Sequence, residues 1–191
     1  MKNISAWLYK ISTGFITLIG LVTFILFTAL VLPNQSAQSN VSYDGAITPD
    51  LSFYYSSTDL YRSAEVYGET GRDAYIRTRF TFDLVWPLVY AFFLTTSVSW
   101  LFARGFSEES IWRYLNILPL AGMLMDYLEN ICTSVVMWRF HVQTLVLDDV
   151  ATIFTMLKWI FLTISFLALG IGLLVATWQW MIARTSKAKR R

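Results

Sequence analysis

Four long apolar stretches, separated by polar stretches, dominate the pattern of the chain. The first runs from Ile11 to Leu32 without a charged residue, and the other three carry only a few charges. About 20 predominantly apolar residues are enough for a helix to cross a bilayer. The pattern therefore predicts an all-α integral membrane protein, a four-transmembrane-helix bundle that forms a single membrane domain over residues 1–191. The predicted spans cover about residues 11–32, 80–102, 112–138 and 150–182.

Residues 33–79 form a long polar connection between the first two spans, and its two halves differ in pattern. The first half, up to Ser57, is rich in Ser, Asn, Asp and Tyr and predicts an extended loop. In the second half, apolar residues recur at helical spacing at Leu60, Ala64 and Tyr67, which predicts a short amphipathic helix. We expect this helix to lie on the membrane surface in the first extracytoplasmic loop, with its tyrosines near the headgroups.

The fourth predicted span carries a ridge of small side chains. Ala168, Gly172 and Ala176 follow one another at a spacing of four, so they lie on one side of a helix. Small residues at this spacing allow two helices in a membrane to approach closely. The ridge serves either a contact within the bundle or a contact between copies of the chain.

Composition and the placement of charge agree with a membrane protein and give it an orientation. The chain is 55% hydrophobic and 15% charged, with a mean hydropathy of +0.50, whereas a soluble domain is about 25% charged. Nine Lys and Arg residues lie on the face shared by the termini and the second connection, and six lie on the other, longer face. Because cytoplasmic loops are rich in Lys and Arg, we predict a multi-pass protein with both termini cytoplasmic and the long first loop extracytoplasmic.

Charged and polar residues inside the apolar stretches are the strongest sign of a site. Asp126, Glu129 and Asn130 are three or four residues apart in the third span, so they share one side of a helix. Ionisable groups at membrane depth cost about 2.5–3.5 kcal/mol each on insertion scales, so they need partners or a function. With the predicted orientation, three more charged residues approach them in the outer half of the bundle: Asp83, Arg79 and Lys158.

Two interpretations of these six residues stay open. In one, the carboxylates pair with Arg79 and Lys158, or with backbone groups, and fix the register of the helices. In the other, the residues line an intramembrane pocket that binds a cation, a proton or an amine-bearing ligand.

The sequence offers no other chemistry of comparable strength. His141 is the only histidine and Cys132 the only cysteine, so we predict no metal site, and an intrachain disulfide is excluded. The sequence contains no Gly-rich phosphate loop and no nucleophile elbow, so no catalytic residue is assigned and any cofactor stays unknown. We interpret the basic C-terminal residues as a topology determinant that also contacts anionic lipid, not as a nucleic-acid site.

These observations favour a non-enzymatic multi-pass membrane protein. It is either a small bundle that binds a lipid-like or cationic ligand near the acidic cluster or an accessory subunit of a larger membrane complex. The alternative is a small membrane enzyme or a proton- or cation-coupled transporter that uses Asp83, Asp126 and Glu129. The expected partners are the lipid bilayer, a lipid-like or cationic small molecule, and a membrane-protein partner or a second copy of the chain. Nucleic acid is not expected.

The layout of the chain resembles that of the four-helix membrane proteins of the sterol-isomerase and sigma-2-receptor type, over about half of its length. Those proteins also have a first loop with a surface helix, followed by an acid and a proline early in the second span. The comparable residues here are Asp83 and Pro87, with Glu129 as an acid late in the third span. The histidine and glutamate set that the isomerases use is absent from the predicted spans. The resemblance therefore implies the four-helix layout and not the isomerase activity.

Overall fold

The computed structural model describes residues 2–42, 48–144 and 146–188, and helices make up almost all of these ranges. The described residues are 87% helix and contain no strand. The prediction of an all-α protein is therefore confirmed. Seven α-helices lie in the described ranges: α1 (Lys2–Ile11), α2 (Gly14–Leu26), α3 (Leu32–Ser42), α4 (Ser57–Arg79), α5 (Phe82–Gly105), α6 (Leu118–Trp138) and α7 (Leu147–Ala188). A π-helical turn, Phe27–Val31, joins α2 to α3, and 3-10 helices cover Pro49–Leu51 and Ile111–Ile117.

Within the described ranges, three helical stretches are long and apolar enough to cross a membrane, which indicates a membrane protein. They are Gly14–Ser39, Ser57–Gly105 and Leu147–Ile182. Helix α6 is not among them, because Asp126, Glu129 and Asn130 lower the hydropathy of its 21 residues. The structure thus agrees with the sequence analysis for three of the four predicted spans.

Helix α5 lies at the centre of the helices. It packs against α2, α6 and α7, and α1 contacts one of its ends. In the apolar part of Ser57–Gly105, 67% of the residues are buried, against 6% in Gly14–Ser39 and 17% in Leu147–Ile182. The exposed side chains of α2 and α7 are mostly large and apolar. This distribution suits two helices whose outer faces meet lipid or another membrane protein.

The small residues of α7 face α5 and let the two helices approach closely. Ala168 is 1% exposed. A Cβ atom built on Gly172 would lie 2.9 Å from Phe102 Cε1 and 3.0 Å from Leu101 Cβ, so a larger side chain would force the helices apart. The ridge therefore serves the contact between α5 and α7 within the chain.

The first apolar segment begins later than predicted. Helices α1 and α2 are separate, because the chain leaves helical geometry at Ser12 and Thr13. The Thr13 hydroxyl accepts a hydrogen bond from the Ile16 amide and caps α2. The predicted span from residue 11 to residue 32 is therefore preceded by a distinct helix.

The same segment also ends later than predicted. The helix passes the π-helical turn and continues as α3 through Pro33 to Ser42. Pro33 has no N–H to donate, and the π-helical turn directly before it changes the hydrogen-bond register so that the helix is not interrupted. The predicted extended loop is therefore wrong for residues 33–42, and residues 43–47 lie outside the described ranges.

Helix α4 contains the amphipathic helix that the sequence predicted. It begins with a capping box, in which the Ser56 hydroxyl accepts a hydrogen bond from the Asp59 amide and the Asp59 carboxylate accepts one from the Ser56 amide. Gly68, with φ of 61°, interrupts the helical geometry directly after Tyr67, and the helix resumes at once.

The apolar face of α4 packs against protein. The residues Leu60, Ala64 and Tyr67 are buried in one cluster with residues of α6 and α7, among them Cys132, Val136, Met137 and Ala151. This face therefore packs against the ends of two helices of the same chain, and its position at the membrane surface stays a prediction.

A buried asparagine in the 3-10 helix before α6 forms hydrogen bonds with α1 and α5. Asn116 is 0% exposed, and its side-chain oxygen accepts a hydrogen bond from the Ser5 hydroxyl at 2.8 Å. Its amide nitrogen donates to the Ser99 hydroxyl at 3.0 Å. The Tyr9 hydroxyl donates to the Arg113 carbonyl at 2.9 Å. Helix α1 is therefore held against the segment that connects α5 to α6.

Candidate functional site

Helix α6 carries three polar side chains on the face that it turns to its neighbours. Asp126, Glu129 and Asn130 are 8%, 0% and 4% exposed. Their spacing of three and four residues places them on one side of the helix, as the sequence predicted. Because α6 packs along α7 and contacts α5, these groups lie inside the protein.

Lys158 brings a positive charge to this face from α7. Its Nζ atom lies 2.6 Å from Glu129 Oε2 and 3.8 Å from Asp126 Oδ1. The lysine is 5% exposed. Burial lowers the local dielectric and strengthens the attraction between these charges. One lysine thus links α7 to two carboxylates of α6.

Arg79 and Asp83 approach the same face from the junction of α4 and α5. The Arg79 Nη1 atom lies 2.8 Å from Asp83 Oδ2, across the break in the helix at Phe80 and Thr81. Arg79 Nη1 also donates a hydrogen bond to Asn130 Oδ1 at 3.4 Å. This second contact joins the arginine to α6, so the ion pair and the acidic face form one network.

Two tyrosines that the sequence analysis did not single out belong to the network. The Tyr90 hydroxyl donates a hydrogen bond to Asp126 Oδ2 at 2.9 Å. The guanidinium carbon of Arg79 lies 4.3 Å from the centre of the Tyr75 ring. Helical spacing is the sequence signal that could have identified these tyrosines, since Tyr90 follows Asp83 by seven residues and Tyr75 precedes Arg79 by four.

The structure brings all six predicted site residues together in this network, which we call the charge network. It contains three carboxylates and two cations: Asp83, Asp126, Glu129, Arg79 and Lys158, with Asn130 between the two halves. Asn130 links the halves because its oxygen accepts from Arg79 and its amide donates to Asp126 Oδ1 at 3.4 Å. The network therefore joins α4, α5, α6 and α7.

The arrangement of these groups favours ion pairing over catalysis. Each carboxylate has a cationic nitrogen of the chain itself within 4 Å. Within the described residues, no group of three or more His, Cys, Asp or Glu side chains is placed to hold a metal ion. Binding of a ligand at the charge network stays a prediction.

A cleft of about 960 Å³ lies between α3 and the second half of α4. Its lining includes Gln35 and Gln38 on one side and Glu69, Asp73 and Arg77 on the other. None of the six predicted site residues lines it. The cleft is therefore a separate feature of the surface.

Comparisons with protein-family models, with curated proteins and with solved structures found no match for the chain. The layout resemblance drawn from the sequence stays an expectation, and the interpretation of the charge network rests on its geometry.

Proposed function

We propose that the chain is a four-span membrane protein in which α2, α5, α6 and α7 cross the bilayer. Three of these helices lie in stretches apolar enough to cross on their own. The 21 residues of α6 make a helix of about 32 Å, close to the thickness of a hydrocarbon core. Since its polar face meets α7 and the α4–α5 junction, α6 enters the bilayer with those charges covered by protein. Both termini lie in the cytoplasm, and α4 lies on the extracytoplasmic side.

The charge network holds this bundle together and performs no chemistry. The observation that carries this proposal is the placement of Lys158, whose amine lies 2.6 Å from Glu129 with both side chains buried. Removing one partner of a buried ion pair costs about 3–5 kcal/mol, because the other charge is left uncompensated. The network therefore penalises any arrangement in which α6 and α7 separate.

We further propose that the protein acts as an accessory subunit of a larger membrane complex. The cations of the charge network already occupy its carboxylates, which favours this role over binding of a cationic ligand at the network. The outer faces of α2 and α7 expose large apolar side chains, such as Phe15, Leu18, Leu167 and Leu174. Faces of this kind suit contact with lipid or with another membrane protein.

The four-span arrangement is tested by labelling single cysteines with a membrane-impermeant maleimide. Cys132, the only native cysteine, is first replaced by serine. Cysteines are then introduced one at a time at four exposed positions: Asn3, Glu65, Ser107 and Gln143. We expect positions 65 and 143 to react in intact cells, and positions 3 and 107 to react only after permeabilisation. Reaction of positions 107 and 143 from the same side would contradict a membrane-spanning α6.

The excess of carboxylates over cations supports a second candidate, a proton- or cation-coupled transporter. Three carboxylates against two cations leave one negative charge, which a proton or a bound cation would balance. Such a transporter would discharge an imposed pH gradient in liposomes, and Asp126→Asn would abolish that flux. The exposed Asp73→Asn serves as the matched control and would leave it unchanged. We expect no flux above that of empty liposomes for any of these proteins.

A further inference from the structure

Helix α1 has three different faces. The first is buried against the protein and carries Ser5 and Leu8, 3% and 5% exposed. The second is apolar yet exposed and carries Ile4 and Trp7, 52% and 57% exposed. The third is polar and exposed, and it includes both lysines of the helix. A helix in a soluble protein needs only the first and third faces, so the exposed apolar face requires its own explanation.

The beginning of α2 also exposes large apolar side chains. Phe15 and Leu18, at the beginning of α2, are 72% and 55% exposed. Tryptophan is enriched where a membrane meets water, and a helix with one apolar and one basic side lies in the plane of that interface. We therefore place α1 at the membrane interface, with Trp7 towards the acyl chains and the lysines towards water.

A cleft of about 560 Å³ opens beside the polar face of α1, at the segment that connects α5 to α6. Positive and negative side chains both line it, namely Lys2, Lys10, Arg113, Glu108 and Glu109. The guanidinium carbon of Arg113 lies 4.0 Å from the centre of the Tyr9 ring, and the Tyr9 hydroxyl donates to the Arg113 carbonyl. These contacts hold the arginine at the edge of the cleft.

We propose that this cleft binds the headgroup of a phospholipid that carries both a phosphate and a primary amine, as phosphatidylethanolamine does. The proposal rests on the four-span arrangement, which puts the end of α5 and the beginning of α2 at one membrane interface. Arg113 and the two lysines bind the phosphate, since guanidinium and ammonium groups form charge-assisted hydrogen bonds with its oxygens. Glu108 and Glu109 accept hydrogen bonds from the ammonium group.

The mixed charge of the cleft selects among headgroups. A choline headgroup is cationic but has no N–H to donate to the glutamates. A glycerol headgroup has no positive charge, so both glutamates would repel the anionic lipid. Of these three headgroups, only ethanolamine forms favourable contacts with both the basic side chains and the glutamates of the cleft.

Native mass spectrometry of the full chain in detergent tests the proposal. The protein is titrated with phosphatidylethanolamine, phosphatidylcholine and phosphatidylglycerol that have the same acyl chains, and the retained lipid is counted. We expect phosphatidylethanolamine to be retained about fivefold better than phosphatidylcholine, which is the net contribution of about one hydrogen bond from its ammonium group. The double variant Glu108→Gln, Glu109→Gln should lose this preference. Arg113→Gln should weaken retention of both lipids, and the remote Glu65→Gln should change neither.

Three results would overturn the proposal: equal retention of the ethanolamine and choline lipids, a preference that survives the double glutamine variant, or strongest retention of phosphatidylglycerol. The substituted glutamates are exposed, so the fold should survive, and an unchanged melting temperature verifies this. The cysteine labelling tests the four-span arrangement independently. If labelling gives the expected pattern and no lipid is preferred, only the headgroup site is lost.

Discussion

At the scale of single residues, several buried polar side chains in this protein have partners on other helices. Lys158 of α7 reaches Glu129 of α6, and Tyr90 of α5 donates to Asp126 of α6. Burying a polar group without a partner costs more than a satisfied hydrogen bond contributes. Each of these side chains therefore favours one arrangement of the helices over the alternatives.

Asn116 offers a test of this role of buried polar side chains at a site away from the charge network. Asn116→Ala leaves the Ser5 and Ser99 hydroxyls without their present partner, so we expect a loss of about 1–3 kcal/mol. The melting temperature of the detergent-purified protein should fall, and protease should cut α1 sooner. The exposed Asn3→Ala, in the same region, is the control and should behave as wild type. An unchanged melting temperature for the Asn116 variant would contradict the structural role of this asparagine.

The members of the charge network differed in how well the sequence could predict them. The charged members were evident because charges are rare within apolar stretches, as at Asp126 and Lys158. The tyrosines Tyr75 and Tyr90 were not, because tyrosine is common at membrane interfaces and its spacing alone does not mark a partner. Which cation pairs with which carboxylate could not be predicted, since this depends on the rotation of each helix about its own axis.

At the scale of helices, close packing between α5 and α7 depends on small residues at the contact, among them Gly172. Gly172→Ala should destabilise the protein by about 1–3 kcal/mol, because the added Cβ would lie 2.9 Å from the Phe102 ring and 3.0 Å from Leu101. Gly170→Ala is the matched control, since no atom lies within 4 Å of its added Cβ. Alanine has a higher helix propensity than glycine, so the Gly170→Ala control should melt at the same temperature as wild type or at a higher one. Equal melting temperatures for both variants would argue against close packing at Gly172.

Helix boundaries could be predicted from the sequence where their cause is local. Where the cause is not local, the predictions were wrong. The beginning of α4 follows from the capping box at Ser56 and Asp59, directly before Leu60, where the predicted apolar spacing begins. The continuation of α3 through Pro33 was missed, because the composition of residues 33–42 is typical of a loop and the π-helical turn has no clear sequence signal. The sequence predicted the apolar face of α4 but not the helices that this face packs against, because apolar side chains pack equally well against lipid or protein.

At the scale of the whole molecule, hydropathy alone predicted the class of the protein and three of its apolar helices. The fourth predicted span, α6, combines an apolar outer side with an acidic inner side, so its insertion depends on the helices that cover its charges. The proposed four-span arrangement therefore depends on the charge network. This makes one ion pair the most informative place to test the whole account.

The most direct test is a double-mutant cycle on Lys158 and Glu129, with melting temperature and unfolding free energy measured for the detergent-purified protein. Lys158→Met should cost about 3–5 kcal/mol, because it leaves buried carboxylates without their cation. The exposed Arg62→Met is the control and should be neutral. Adding Glu129→Gln to Lys158→Met should restore part of the loss, so that the double variant is more stable than Lys158→Met alone. Additive losses, or a Lys158→Met protein as stable as wild type, would contradict a charge network that holds the bundle together.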